Sequence, residues 1–229
     1  FAALHFPVQY VMHLALGTAM ASIVFTSISS FRAHHAHGAV NWRVWRDISP
    51  GVITGTLLGS VLAAVLSAHF LKLFFVGFVF YAGTQLLLDI KPKAARELPG
   101  LLGMFAVGNG IGAVSSLVGI GGGTLSVPFM TWCNIKLHQA IGTSAAIGLP
   151  IAIAGAAGYI ANGWLVRQVL PAYSLGFVYL PALAAIVATS MLTAPLGARL
   201  AHRLPVKKLK RIFALLLYVL GLRMLFTLI

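Results

Sequence analysis

Ser115-Ser116-Leu117-Val118-Gly119-Ile120-Gly121-Gly122-Gly123-Thr124-Leu125-Ser126-Val127-Pro128 puts a glycine break and several hydroxyls inside an apolar stretch. Backbone left unpaired in hydrocarbon is costly, so such a break is tolerated at membrane depth only where it is buried in protein or lines a cavity. A half-helix that begins there points free N–H groups at whatever occupies the cavity, which suits an anion. The stretch therefore predicts a broken or re-entrant helix in a membrane carrier for a small anion.

Composition agrees. Of 229 residues, 59% are apolar and 8% charged, and the mean hydropathy is +0.95. A soluble domain would carry roughly a quarter charged residues. The formal charge of +13 does not point to nucleic acid, because the Lys and Arg residues lie between apolar segments. Apolar segments run near 11–31, 48–67, 70–89, 99–118, 124–134, 138–160, 172–198 and 211–229. At about 20 residues per crossing, all but 124–134 are long enough to span. Cys133 is the single cysteine, so there is no disulfide framework and no thiolate metal cluster.

An internal repeat organises the chain. His13-Leu-Ala-Leu-Gly-Thr18 aligns with His138-Gln-Ala-Ile-Gly-Thr143 at an offset of 125. Gly59, Leu62, Ala63, Leu66, Leu71, Lys72, Phe75 and Gly83 align with Gly197, Leu200, Ala201, Leu204, Leu209, Lys210, Phe213 and Gly221 at 138. The expected domains are a first repeat over 1–89, an inter-repeat loop over 90–98 and a second repeat over 99–229. By this alignment the first repeat's own glycine motif and its preceding helix, about 26 residues, fall before Phe1. Phe1–Pro7 is then the tail of the first half-helix.

Charge selects the topology. If 99–118 crosses, 124–134 returns and 138–160 crosses again, one side collects three basic groups. These are Arg32, Arg43 and Arg46; then Lys91, Lys93, Arg96 and Arg167; then Arg199, Arg203, Lys207, Lys208, Lys210 and Arg211. The opposite side keeps Lys72 and Lys136. Without the return segment the two sides balance. The positive-inside rule thus favours the first arrangement, which makes the halves inverted repeats. The expected fold is an all-α integral membrane protein, a polytopic bundle of two inverted repeats with re-entrant or broken helices at the glycine motifs.

Candidate ligand groups follow from the break. Gly119, Gly121, Gly122 and Gly123 give backbone freedom and close approach, and Thr124 opens the following segment. Ser115, Ser116 and Ser126 add hydroxyl donors. A mere packing interface needs glycines four apart, as at Gly51, Gly55 and Gly59 and at Gly108 and Gly112, which read as close helix contacts. Asn109 faces either the cavity or a neighbouring helix. Thr18 and Thr143 occupy equivalent repeat positions, with Ser22 and Ser144 close by. His13 and His138 repeat at the segment mouths and read as interfacial helix-end histidines, with a gate or protonation role the alternative. His34, His35 and His37, with Trp42 and Trp45, read as a headgroup-level loop with an aromatic belt; a metal-dependent membrane enzyme using those histidines is the alternative from another class, and a passive anion channel is a third. Cys133 reads as a small apolar filler. Asp47, Asp89 and Glu97, the only carboxylates, lie in or beside loops, which disfavours carboxylate-based cation coupling.

The stretch Gly119–Pro128 with His138-Gln-Ala-Ile-Gly-Thr-Ser144 resembles the TauE/SafE family of membrane permeases over nearly the whole chain. The resemblance implies a duplicated multi-span carrier of the bacterial inner membrane, neither an enzyme nor cofactor-dependent. It also implies a substrate among sulfite, sulfonates and related organosulfur anions, with export the expected direction. The first-half counterpart reads Gly17-Thr18-Ala19 where the second half has Gly-Thr-Ser.

Overall fold

Helices dominate because long apolar runs can satisfy their own backbone groups. The computed structural model describes residues 7–88, 96–203 and 205–226, by backbone alone over 194–203 and at 206 and 207. After a short 3-10 turn come α1 (Val11–Ala36), α2 (Trp42–Val65), α3 (Ala68–Leu88), α4 (Leu101–Val118), α5 (Gly123–Trp132) and α6 (Leu137–Trp164). A hairpin of β1 (Ser174–Leu175) and β2 (Val178–Tyr179) then leads into α7 (Leu180–Arg203) and α8 (Val206–Phe226). The chain is an all-α membrane protein: α1 with its preceding turn, α2, α3, α4 and α6 are each long and apolar enough to cross a bilayer.

Several boundaries differ from the hydropathy reading. Loop 32–46 shrinks to a few residues, because α1 runs to Ala36 and α2 begins at Trp42. The Asn41 side chain accepts the Val44 N–H (3.2 Å) and starts α2 before its apolar run begins. The segment 172–198 opens with the hairpin and becomes helical only at Leu180, from which α7 runs to Arg203. Of the expected tail Phe1–Pro7 only Pro7 lies within the described residues, and Lys91 and Lys93 lie outside them, as do the side chains of Arg199, Arg203 and Lys207.

Glycine seams set the helix packing. A Cβ on Gly51 or Gly55 of α2 would strike the backbone of Phe105 or Asn109 on α4, and one on Gly59 would lie 2.8 Å from the Ala113 carbonyl oxygen. In return, a Cβ on Gly108 of α4 would lie 2.6 Å from the Ile48 carbonyl oxygen. Partners advance together, so α2 and α4 run parallel, locked backbone to backbone. The spacing of four reads correctly as close packing.

Other contacts fix directions. Gly17 lies against Tyr159, Met20 against Gly155 and Ser27 near Gly148, so α1 and α6 run antiparallel. Tyr159 donates to the Ser116 carbonyl (2.9 Å), while Ile111 and Ile151 meet over Gly122, so α4 and α6 run parallel. Phe80 lies against Gly221 and Tyr218 against Gly83, so α3 and α8 run antiparallel. The chain must double back between α4 and α6, and the ten-residue α5 is the helix that lies on that path.

Candidate functional site

The break begins where α4 ends. Gly119 takes a left-handed conformation (φ 77°), and the N–H groups of Gly119 and Ile120 both donate to the Ser115 carbonyl (2.8 and 3.1 Å). Gly122 is left-handed too (φ 76°), and its carbonyl accepts from Leu125 and Ser126 (3.1 and 2.9 Å) as α5 starts. Between these two turns, the N–H groups of Gly121, Gly122, Gly123 and Thr124 donate to no acceptor among the described residues. Gly121 lies against Ile23, the midpoint of α1, and near Gly148, close to the midpoint of α6. The bare amides therefore sit level with the middle of the two longest helices.

Hydroxyls join them. Ser115 is fully buried, its Oγ lacks any partner, and that oxygen lies 3.3 Å from where a Cβ on Gly122 would be. The Ser126 hydroxyl donates to Ser144 Oγ (2.8 Å), which leaves the Ser144 proton free to donate onward. Ser144 Oγ is 3.4 Å from the Cβ position of Gly123. Leu16 and Ile23 of α1, Ile111 of α4 and Ile151 of α6 form apolar walls. Among the described residues the buried polar side chains are hydroxyls and one imidazole, so neutral dipoles and the positive end of α5 set the field.

The structure thus brings together Gly119, Gly121, Gly122, Gly123, Thr124, Ser115 and Ser144. It does not bring in Asn109, Thr18 or Thr143. Asn109 accepts from Thr54 (3.1 Å) and donates to the Phe105 carbonyl, on the α2–α4 seam. Thr143 accepts the Asn41 N–H (2.8 Å) and Thr18 accepts the Tyr179 N–H (3.0 Å), so both hydroxyls hold the backbone just before a helix. Ser116 has an unpartnered buried Oγ, but its side chain packs at Gly59 of α2. Sequence reasoning missed Tyr159, whose ring is fully buried and ties α6 to the last turn of α4; a tyrosine in an apolar span carries no local sign of its partner.

The histidine loop is aromatic. Phe31 stacks on His35 (5.8 Å between centroids), His35 meets Trp42 edge-on (5.4 Å) and Trp42 meets Trp45 (5.5 Å). Trp45 reaches the Ala146 carbonyl (3.1 Å) and His37 the Ala33 carbonyl (2.7 Å). Among the described residues no three His, Cys, Asp or Glu side chains converge as metal ligands, so these histidines do not support the metal-enzyme alternative. Cys133 is buried after α5; burial pushes its thiol pKa up, against a smaller opposite pull from Arg96.

The sequence matches the family described as "Sulfite exporter TauE/SafE" over residues 1–224. The chain belongs to the TauE/SafE family. It is 38% identical over 223 residues, covering 95% of this chain and 83% of the relative, to a "Probable membrane transporter protein" of Haemophilus influenzae. It is 25% identical over 229 residues, covering 97% and 86%, to a probable membrane transporter protein of Bacillus subtilis. A probable membrane transporter protein of Methanocaldococcus jannaschii is 22% identical over 222 residues, covering 92% and 78%. No solved structure matches. As a TauE/SafE protein with five apolar helices of crossing length among its described residues, the chain is a multi-pass membrane transporter.

Proposed function

We propose that this transporter exports a small anion, a sulfur oxyanion or organosulfonate, across a bacterial inner membrane, binding it at the break over 119–124. The observation that carries the reading is the run of four free N–H groups beside the buried, unpartnered hydroxyl of Ser115. Each hydrogen bond to a charged ligand contributes about 1.5–3 kcal/mol. Five or six such donors offset much of the cost of dehydrating one negative charge. Isoleucine walls suit a ligand with a short apolar tail. An anion leaving down the membrane potential gains about 2.3 kcal/mol per charge per 100 mV, which drives export without a coupling cation.

Alternating access comes from two inverted repeats, over 1–89 and 99–229, joined by the loop 90–98, with α5 as the re-entrant segment. Three pairs of contacts support this reading. Moved by 138 residues, the bounds of α2 and α3 coincide with those of α7 and α8. Gly17 packs on the Phe177 carbonyl and Gly142 on that of Ala39; Thr18 holds Tyr179 N–H and Thr143 holds Asn41 N–H; Gly83 meets Tyr218 and Gly221 meets Phe80. Contacts that recur with the partners exchanged are the signature of a two-fold relation. The antiparallel course of α1 and its counterpart α6 orients that two-fold as an inversion.

The test is uptake of labelled sulfite and sulfonates into proteoliposomes, comparing wild type with Ser115→Ala and Gly122→Val. Saturable flux that both substitutions weaken supports the site. Saturable flux unchanged by either refutes it, and flux that never saturates favours a channel.

A further inference from the structure

We propose that Trp45 positions the anion site: its indole holds a carbonyl that Pro150 frees in α6, and so fixes the half of α6 that carries Ser144. Pro150 lies inside α6 and has no N–H, so the Ala146 carbonyl loses its partner one turn on. Ala146 is only 2% exposed, and a buried carbonyl left unpaired is costly. The Trp45 Nε1–H, from the first turn of α2, donates to that oxygen at 3.1 Å. A side chain 101 residues away thus closes the gap that the proline opens in the helix ladder.

The bond falls where α6 meets the break. Ser144 and Gly148, two residues to either side of Ala146, lie at Gly123 and Gly121, and beyond the proline Ile151 lies over Gly122. The two halves of α6 are fastened to different elements. After the proline, Gly155 packs on Met20 of α1, Gly158 on Ser60 of α2, and Tyr159 donates to the Ser116 carbonyl of α4. Before it, Gly142 packs on the Ala39 carbonyl, Thr143 accepts the Asn41 N–H (2.8 Å), and Ser144 accepts from Ser126 of α5.

A helix bends most readily at proline, because the ladder is already interrupted there. Ala39, Asn41 and Trp45 meet Gly142, Thr143 and Ala146 in turn, so the entrance to α2 splints the first half of α6. Of these contacts the indole is the one nearest the proline, and it takes the carbonyl that the proline frees. Without it the first half of α6 is free to swing, and Ser144 moves off Gly123. Placement of an anion by Ser144 rests on the anion reading of the break, whereas the bond across the proline gap stands without it.

A double-mutant cycle tests the bond without any anion. Trp45→Phe keeps an aromatic ring but removes the N–H, and Pro150→Ala returns a helix N–H to the Ala146 carbonyl. The melting temperature of purified protein should fall with Trp45→Phe in the wild-type background and fall much less in the Pro150→Ala background. Equal losses in both backgrounds overturn the proposal. Should Trp45→Phe fail to fold, 15N-indole spectra of wild type and Pro150→Ala take its place. One of the four indole N–H signals should exchange with solvent faster in Pro150→Ala, where it competes with the new helix donor; identical exchange in the two proteins overturns the bond. In proteoliposomes, Trp45→Phe should raise the KM for methanesulfonate roughly 3- to 10-fold, as the loss of one hydrogen bond allows, and by less than about twofold when Pro150 is already alanine. A lowered melting temperature with unchanged KM makes the indole a structural prop alone and refutes the positioning role. Absence of methanesulfonate flux in wild type overturns the positioning role for this solute together with the anion reading, while the melting cycle still decides the bond.

Discussion

Ser115→Ala should move stability and ligand affinity in opposite directions. In the empty protein Ser115 Oγ is buried beside Gly122 with no hydrogen-bond partner. Leaving such a group unsatisfied costs about 1–3 kcal/mol, so removing it makes the empty protein more stable by up to that amount. Alanine also has the higher helix propensity, adding about 0.5 kcal/mol near the end of α4. Once an anion is bound the same hydroxyl becomes a donor to a charge, and its loss costs about 1.5–3 kcal/mol, or roughly 10- to 100-fold in affinity. Melting in detergent, with and without saturating sulfite or sulfonate, measures both effects. Ser115→Ala should melt higher when empty and lose most of the ligand-induced shift. A variant that melts lower when empty and keeps the full shift refutes the argument, because Ser115 would then be an ordinary structural donor.

Thr143→Val and Thr18→Val each leave one backbone N–H, of Asn41 or Tyr179, without its acceptor; each should lower stability by about 1–3 kcal/mol, read by thermal melting, while Thr→Ser at either position restores most of it. A large loss of ligand affinity with stability unchanged would instead place these hydroxyls on the substrate. The buried Cys133 thiol, its pKa raised by burial, carries little thiolate near neutrality; maleimide labelling of folded protein should be slow at pH 7 and accelerate as pH rises, whereas unfolded protein labels quickly. Rapid labelling of the folded protein at pH 7 would show the thiol to be accessible.

Sequence alone determined the break, the close glycine seams and the all-helical membrane architecture. Each rests on local chemistry: a run such as Gly121-Gly122-Gly123 cannot stay a stable helix, and Gly51, Gly55 and Gly59 fall on one face whatever packs there. Polar helix ends were harder. Residues 32–46 look like a loop by hydropathy, yet Asn41 caps α2 and the charged residues around it join the helices. Tertiary structure alone decided which hydroxyls meet the amides. Thr143 and Ser144 are neighbours, but one holds a backbone 102 residues away while the other turns to Ser126 and the break. Helical periodicity gives a side chain's direction without naming what lies there, so a polar group's vacancy, as at Ser115, or its burial, as at His13, depends on chain that sequence places far away.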